Sequence, residues 1–315
     1  MKYLMCLSNF EAGVRMSENG ALLYFEDEAP AALRLAEASG LLPHRVERHC
    51  FPDGEMQLTL PSHLPPRVVL LRSLHQSNEK LTELLLVAPT ARQLGAVHLC
   101  LVAPYLAYMR QDKAFAPGQA VSQRIVGAWL GTLFDEVITV DPHLHRVSSL
   151  AQAVPAHQAI ALSAAPLLGH WIAQHRPGAF LLGPDSESAQ WVTQAAAAHG
   201  FQHAVCTKQR HGDRSVEIAL PICDLVGKAV VILDDVASSG HTLATAAALA
   251  LAAGAASVDV AVTHALLAGD ALELIHQAGV GAFWSTDSVA HPSNVVALAP
   301  LLATALKSDA GAKAR

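Results

Sequence analysis

The chain has 315 residues, 52% hydrophobic and 15% charged, with a formal net charge of -6 at neutral pH. That length exceeds one ordinary hydrophobic core and predicts two domains, while the acidic balance excludes a broad electrostatic grip on nucleic acid or an acidic membrane but leaves room for small anions. Cys6, Cys50, Cys100, Cys206 and Cys223 form no C-x-x-C pair, so neither a disulfide framework nor a zinc site is indicated, and a reducing cytoplasm fits.

The opening MKYLMCLSNFEAG has one lysine and an apolar patch too short for a signal-peptide core, and no later apolar run reads as membrane-spanning. Short apolar runs then predict buried strands at Val68 to Leu71, Val97 to Ala103, Val137 to Val140, Phe180 to Leu182, Val230 to Leu233, Val258 to Val262 and Ala282 to Trp284. Helical stretches lie between them at Glu79 to Leu94, Ala120 to Leu133, Leu162 to Gln174, Ser188 to His199 and Thr242 to Ala253. Such alternation predicts an α/β fold with parallel sheets flanked by helices. The strand pattern pauses between Ser148 and Pro155, which divides the chain into residues 1–150 and 151–306, with the polar KSDAGAKAR at 307–315 expected as a frayed tail.

Polar signatures follow the strands: PYLAYMRQD at 104–112, DPHLH at 141–145, GPDSE at 183–187 and DDVASSGHT at 234–242. Ligands in open α/β sheets bind beyond the carboxyl ends of strands, so these loops are expected to converge. In VVILDDVASSGHTLATAAALALAAG, an apolar strand runs into paired acids, a small-residue loop and a helix. A helix N-terminus with loop N–H groups suits a phosphate, while Asp234 and Asp235 suit sugar hydroxyls or a metal.

With FPDGE at 51–55 and KQR at 208–210 added, these segments in this order resemble the ribose-phosphate diphosphokinases, also called phosphoribosyl diphosphate synthases, over nearly the whole chain. The resemblance implies two phosphoribosyltransferase-like domains, each a mainly parallel sheet with helices. It implies transfer of the β,γ-diphosphoryl group of ATP to the anomeric hydroxyl of ribose 5-phosphate, with Mg²⁺ as cofactor. Ser238, Ser239, Gly240, His241 and Thr242 would wrap the 5-phosphate, with Asp234 and Asp235 on ribose hydroxyls. Phe51, Asp53 and Glu55 would meet adenine in a neighbouring subunit of a homo-oligomer, dimer or hexamer, and Arg110 and Gln111 would bind ATP. His143 and Asp185 would be associated with Mg²⁺. Lys208 would stabilise the transition state on a mobile loop, and Arg210 would also contact ribose 5-phosphate.

Read without the resemblance, FPDGE is a type I turn, and RQD and KQRHGDR are solvated charged loops. His145 completes an H-x-H spacing that, without sulfur or carboxylate ligands, hardly specifies a transition-metal site. Ser186, Glu187 and Ser188 stand where the family continues with glycines, and Ser238 where synthases more often carry an acid. The competing readings are a phosphoribosyltransferase that consumes the diphosphate product and a catalytically weak regulatory partner of a true synthase. FPDGE and RQD speak against the first; retention of Lys208, Arg210, His143 and Asp185 speaks against the second.

Overall fold

Runs of Val, Leu and Ala that have no polar side to offer water form strands buried on both faces, and parallel strands of that kind must be covered by helices. The computed structural model describes residues 20–211 and 215–312. Its first half contains β1 (Ala21–Tyr24), α1 (Ala29–Ser39), β2 (Leu42–Arg45), β3 (Glu47–Cys50), β4 (Met56–Thr59), β5 (Arg67–Leu71), α2 (Ser77–Gln93), β6 (His98–Ala103), α3 (Ser122–Leu133), β7 (Glu136–Val140), α4 (Leu150–Ala153) and β8 (Gln158–Leu162). The second contains α5 (Ala165–His175), β9 (Phe180–Gly183), α6 (Ala189–Ala197), β10 (His203–Val205), β11 (Thr207–His211), β12 (Ser215–Ala219), β13 (Ala229–Ala237), α7 (His241–Ala252), β14 (Ser257–Ala265), α8 (Ala271–Gln277), β15 (Val280–Thr286), β16 (Asn294–Val296) and α9 (Ala299–Ala312).

Two six-stranded sheets result, ordered β2-β1-β5-β6-β7-β8 and β10-β9-β13-β14-β15-β16. All neighbouring pairs within them are parallel. The orders are the same topology written twice. In each half a two-stranded antiparallel hairpin, β3-β4 or β11-β12, follows the second strand and precedes the third. The direction of winding reverses between β1 and β5 and between β9 and β13, which is where doubly wound sheets open a crevice. In the first sheet that position holds a buried ion cluster around Arg72; in the second it opens into a cavity.

Residues 307–312, expected in a frayed tail, continue α9, and every expected strand and helix region contains an element of the expected kind, with three changes. The stretch from Leu162 is not wholly helical: Gln158–Leu162 is β8, paired to β7, and Ser163 and Ala164 precede α5. The strand expected at 230–233 continues to Ala237, so both aspartates lie on β13 itself. KQR lies not in a loop but on β11 of a hairpin, with residues 212–214 outside the described residues.

The two sheets meet through the end of β7. Asp141, at a positive φ of 40°, is buried and accepts from Thr263 Oγ1 at 2.7 Å, Trp191 Nε1 at 2.9 Å and Ala164 N at 3.0 Å. Burial raises its carboxyl above the ordinary range despite these donors. His264 Nε2 reaches the Val140 carbonyl at 3.0 Å. The last helix returns to the first half: Leu298, Leu302 and Leu306 share a buried apolar cluster with Leu22, Ala32 and Leu35. Arg67 Nη2 donates to the Leu306 carbonyl at 2.6 Å and Lys307 Nζ to that of Ala38 at 2.8 Å. Among the described residues no helix is long and apolar enough to cross a membrane.

Candidate active site

The cavity beside the reversal point of the second sheet has a volume of about 270 Å³ and is bordered by parts of both halves. β13 delivers Asp234 and Asp235 to its floor, the turn after β9 delivers Asp185 and Glu187, and the loops after β6 and β7 deliver Arg110 and His143. Its remaining wall is the small-residue loop, including Ser238, Ser239, Gly240 and Thr242, at the start of α7. Gly240 is the N-cap of that helix in a left-handed conformation, φ 78°, and no side chain caps the helix. A Cβ there would stand 2.8 Å from the Ala271 carbonyl oxygen. Only glycine keeps this geometry without strain, and the helix start it leaves open is a ready anion seat.

The acids beside that seat differ in charge. Asp235 is buried, which works against its charge, but the His143 ring, with Nδ1 donating to Oδ2 at 2.8 Å, outweighs burial and holds the carboxyl low. Asp234 is held well above the usual range by desolvation and by the Asp235 and Asp185 charges. Its Oδ1 accepts the Asp235 N–H at 3.0 Å. Asp185 accepts the Glu187 N–H at 3.0 Å and caps the short 3₁₀ turn Ser186–Ser188. Four acidic side chains and one guanidinium border this cavity. An acidic floor of hard oxygen donors facing an anion seat fits a divalent cation carried in with phosphates.

Of the residues expected from the sequence, Arg110, His143, Asp185, Asp234, Asp235, Ser238, Ser239, Gly240 and Thr242 are thus brought together. His241 is exposed at the first position of α7 and does not line the cavity. Gln111 also lies off it: its side-chain oxygen accepts from Ser122 Oγ at 2.9 Å and its carbonyl from Gln123 N at 3.2 Å, which anchors the start of α3. Phe51, Asp53 and Glu55 are exposed at the tip of the β3-β4 hairpin, a tight turn closed by Gly54 N to Phe51 O at 2.9 Å and Phe51 N to Glu55 O at 2.8 Å. They border no part of this cavity. Lys208 and Arg210 sit on β11 opposite Ile218 and Val216, and their side chains lie outside the described part of the structure.

The sequence reading left three contributors without roles. Asp141 joins the halves, and its signal was an acid at a strand end. Asp112 accepts Arg146 Nη1 on both oxygens at 2.8 Å, tying the loop of Arg110 to the segment after His143. Glu187 approaches His145 Nε2 at 3.5 Å and His143 Nε2 at 3.9 Å, a meeting of two distant segments that no local spacing reveals.

The N-terminal domain of ribose phosphate pyrophosphokinase matches residues 21–133, and the phosphoribosyl transferase domain matches residues 151–279. The ribose-phosphate pyrophosphokinase of Methanopyrus kandleri is 34% identical over 282 residues, 88% of this chain and 95% of that protein. Ribose-phosphate pyrophosphokinase 2 of Archaeoglobus fulgidus is 34% identical over 272 residues, 86% and 94% of the two chains. The crystal structure of phosphoribosylpyrophosphate synthetase from Mycobacterium smegmatis has the same fold, with a TM-score of 0.79 at 22% identity over 92% of this chain and 99% of that one. Twofold repetition of one sheet topology, an uncapped helix start facing paired acids, and relatives aligned along most of their length place the chain in the ribose-phosphate pyrophosphokinase family.

Proposed function

We propose that the protein transfers the β,γ-diphosphoryl group of ATP to the anomeric hydroxyl of ribose 5-phosphate, giving 5-phosphoribosyl 1-diphosphate and AMP. The observation that carries this reading is the uncapped α7 start at Gly240 facing Asp234 and Asp235 across one cavity. The 5-phosphate sits on the Ser238 to Thr242 loop, where backbone N–H groups and hydroxyls share its charge. Asp235, held low and braced by His143, accepts from a ribose hydroxyl, and Asp234, whose carboxyl is raised, faces a second. Arg110 and Gln111 serve the nucleotide, as do Phe51, Asp53 and Glu55 on a hairpin that reaches a neighbouring copy in a cytoplasmic homo-oligomer.

With the pentose so held, its anomeric oxygen attacks the β-phosphorus in line with the departing AMP oxygen. Such a reaction asks the protein chiefly to position the reactants and to offset developing charge. Lys208 and Arg210 supply cations for that purpose from the β11-β12 hairpin. His143 and Asp185 would hold Mg²⁺ together with substrate phosphates, and the ion supplies further neutralisation when bound.

Incubation of the protein with Mg²⁺, ATP and single pentose phosphates tests the proposal through its products. AMP and a sugar 1-diphosphate are expected. Release of ADP, or turnover of the sugar 1-diphosphate with a nitrogenous base in place of ATP, overturns it.

A further inference from the structure

We propose that His143, His145 and Glu187 form a protein-held site for a first-row transition cation, a site that loads without nucleotide. The inference rests on the metal role given to His143 above; with Nδ1 on Asp235 its single free nitrogen serves one ion at a time, so the transition cation takes that contact in place of Mg²⁺, with His145 and Glu187 as added ligands. His143 and His145 follow β7, whereas Glu187 follows β9 in the other sheet. Their ligand atoms nevertheless lie within 4.8 Å of one another. Glu187 Oε2 is 3.5 Å from His145 Nε2 and 3.9 Å from His143 Nε2, and the two Nε2 atoms are in direct contact. A cation held at about 2.0 to 2.2 Å by nitrogen and carboxylate donors has ligands up to about 4.4 Å apart. These three side chains meet that limit on the carboxylate side, and a small ring rotation would seat an ion between the imidazoles.

A second observation concerns the other face of His143. Its Nδ1–H donates to the buried Asp235 at 2.8 Å, which fixes the tautomer that presents a bare Nε2. Carboxylate, imidazole and metal in line is the arrangement that orients histidine ligands and raises their basicity. Imidazole pairs suit zinc, copper, iron and nickel, whereas Mg²⁺ prefers oxygen and retains water. Three protein ligands leave at least one position for water or a substrate oxygen. His143 and Glu187 border the cavity, so that position adjoins the phosphate seat. The ligand side chains are 20%, 27% and 51% exposed in the order given, which leaves the ion a path from solvent.

The test uses untagged full-length protein freed of metal, with Co²⁺ as the probe and no nucleotide. Calorimetry and visible absorption should report one Co²⁺ per chain in a nitrogen-containing site. His145→Ala and Glu187→Gln should each weaken binding at least about tenfold. Zn²⁺ should displace the probe, and a large excess of Mg²⁺ should not. Absence of binding, equal affinity in wild type and both variants, or ready displacement by Mg²⁺ overturns the site. Thermal unfolding checks each variant, and Glu187→Gln, at an exposed side chain, carries the test alone if His145→Ala fails to fold. Product analysis with Mg²⁺ as the sole cation separates the two readings. AMP without Co²⁺ binding removes this site and keeps the diphosphate transfer; Co²⁺ binding without AMP does the reverse.

Discussion

The Nδ1 of His143 and the Oδ2 of Asp235 lie 2.8 Å apart, although 92 residues separate them in the chain. The contact ties the loop after β7 to the end of β13 and helps hold the Asp235 carboxyl low, whereas that of Asp234 is raised. Asp235→Asn removes the charge that orients His143, and turnover should fall about tenfold to a hundredfold. Asp234→Asn removes a carboxyl whose ionisation its surroundings already oppose and should cost less. Steady-state kinetics on both variants decide the matter: equal losses would mean that the two acids are not distinguished in this way.

Arg72 is completely buried, donates from Nε to Glu83 Oε2 at 2.6 Å and from Nη1 to Asp27 at 2.7 Å, and stands near Glu28. Glu83 also binds Arg48 of β3, while Lys80 meets Glu28 at 3.0 Å. Glu83→Ala removes one carboxylate from a buried guanidinium that keeps Asp27, and urea unfolding should show a loss of about 3 kcal/mol. Arg48 is partly exposed, so Arg48→Ala should cost about 1 kcal/mol or less while loosening the hairpin that bears Phe51, Asp53 and Glu55. Its expected signature is a raised KM for ATP with little change in unfolding midpoint.

Burial lowers the His264 pKa from 6.5 to about 4. The folded protein therefore keeps this ring neutral, and below pH 6.5 only the unfolded chain takes up the proton. Its contribution is complete above pH 6.5 and disappears as pH falls towards 4, about 3 kcal/mol in all. His75, lowered to about 4 by burial and by Lys80 and Arg72, acts in the same direction, whereas the raised carboxyls of Asp141 and Glu28 act oppositely. The comparison to make is the unfolding free energy of wild type against His264→Asn across this range. The gap should narrow as the solution is acidified; a constant gap would contradict the buried neutral ring.

Gly240→Ala places a methyl group 2.8 Å from the Ala271 carbonyl oxygen at a φ that side chains rarely adopt. The loop must shift, and the backbone donors shift with it. Separate titrations should show weakened ribose 5-phosphate binding and unchanged ATP binding. Selective loss of ATP would reassign the loop to the nucleotide.

Lys208→Ala should lower turnover about a hundredfold to a thousandfold, as removal of a transition-state donor does, with ATP affinity retained. If its hairpin serves a neighbouring copy, as proposed, Glu55→Ala should fail for a different reason. Unfolding, mixing and refolding the two variants should restore activity in hybrid sites, provided mass-tagged subunits show exchange. Exchanged but inactive hybrids would place the whole ATP site within one chain.

Strands such as Val137–Val140 and Val258–Val262 were legible because unbroken apolar runs admit few other fates, and the loops that follow them were legible through small residues and acids. The hairpins were not: Glu47–Cys50 and Thr207–His211 are mostly polar, and their pairing partners rather than their composition make them strands. Gln158–Leu162 blended into the alanine-rich helix after it. The acid pair was found, but not its asymmetry, which arises from His143 and the burial around β13. Glu187 read as an excess charge because its partners, His143 and His145, stand more than forty positions away.

Because α9 packs on α1 and the first sheet, a ribosome releases the N-terminal half well before the helix that covers part of it. Until that last segment emerges, Leu22, Ala32 and Leu35 keep an apolar face turned outward. The nascent first half must wait, open on one side, and completion of the last segment becomes the step that latches both halves into one cooperative unit.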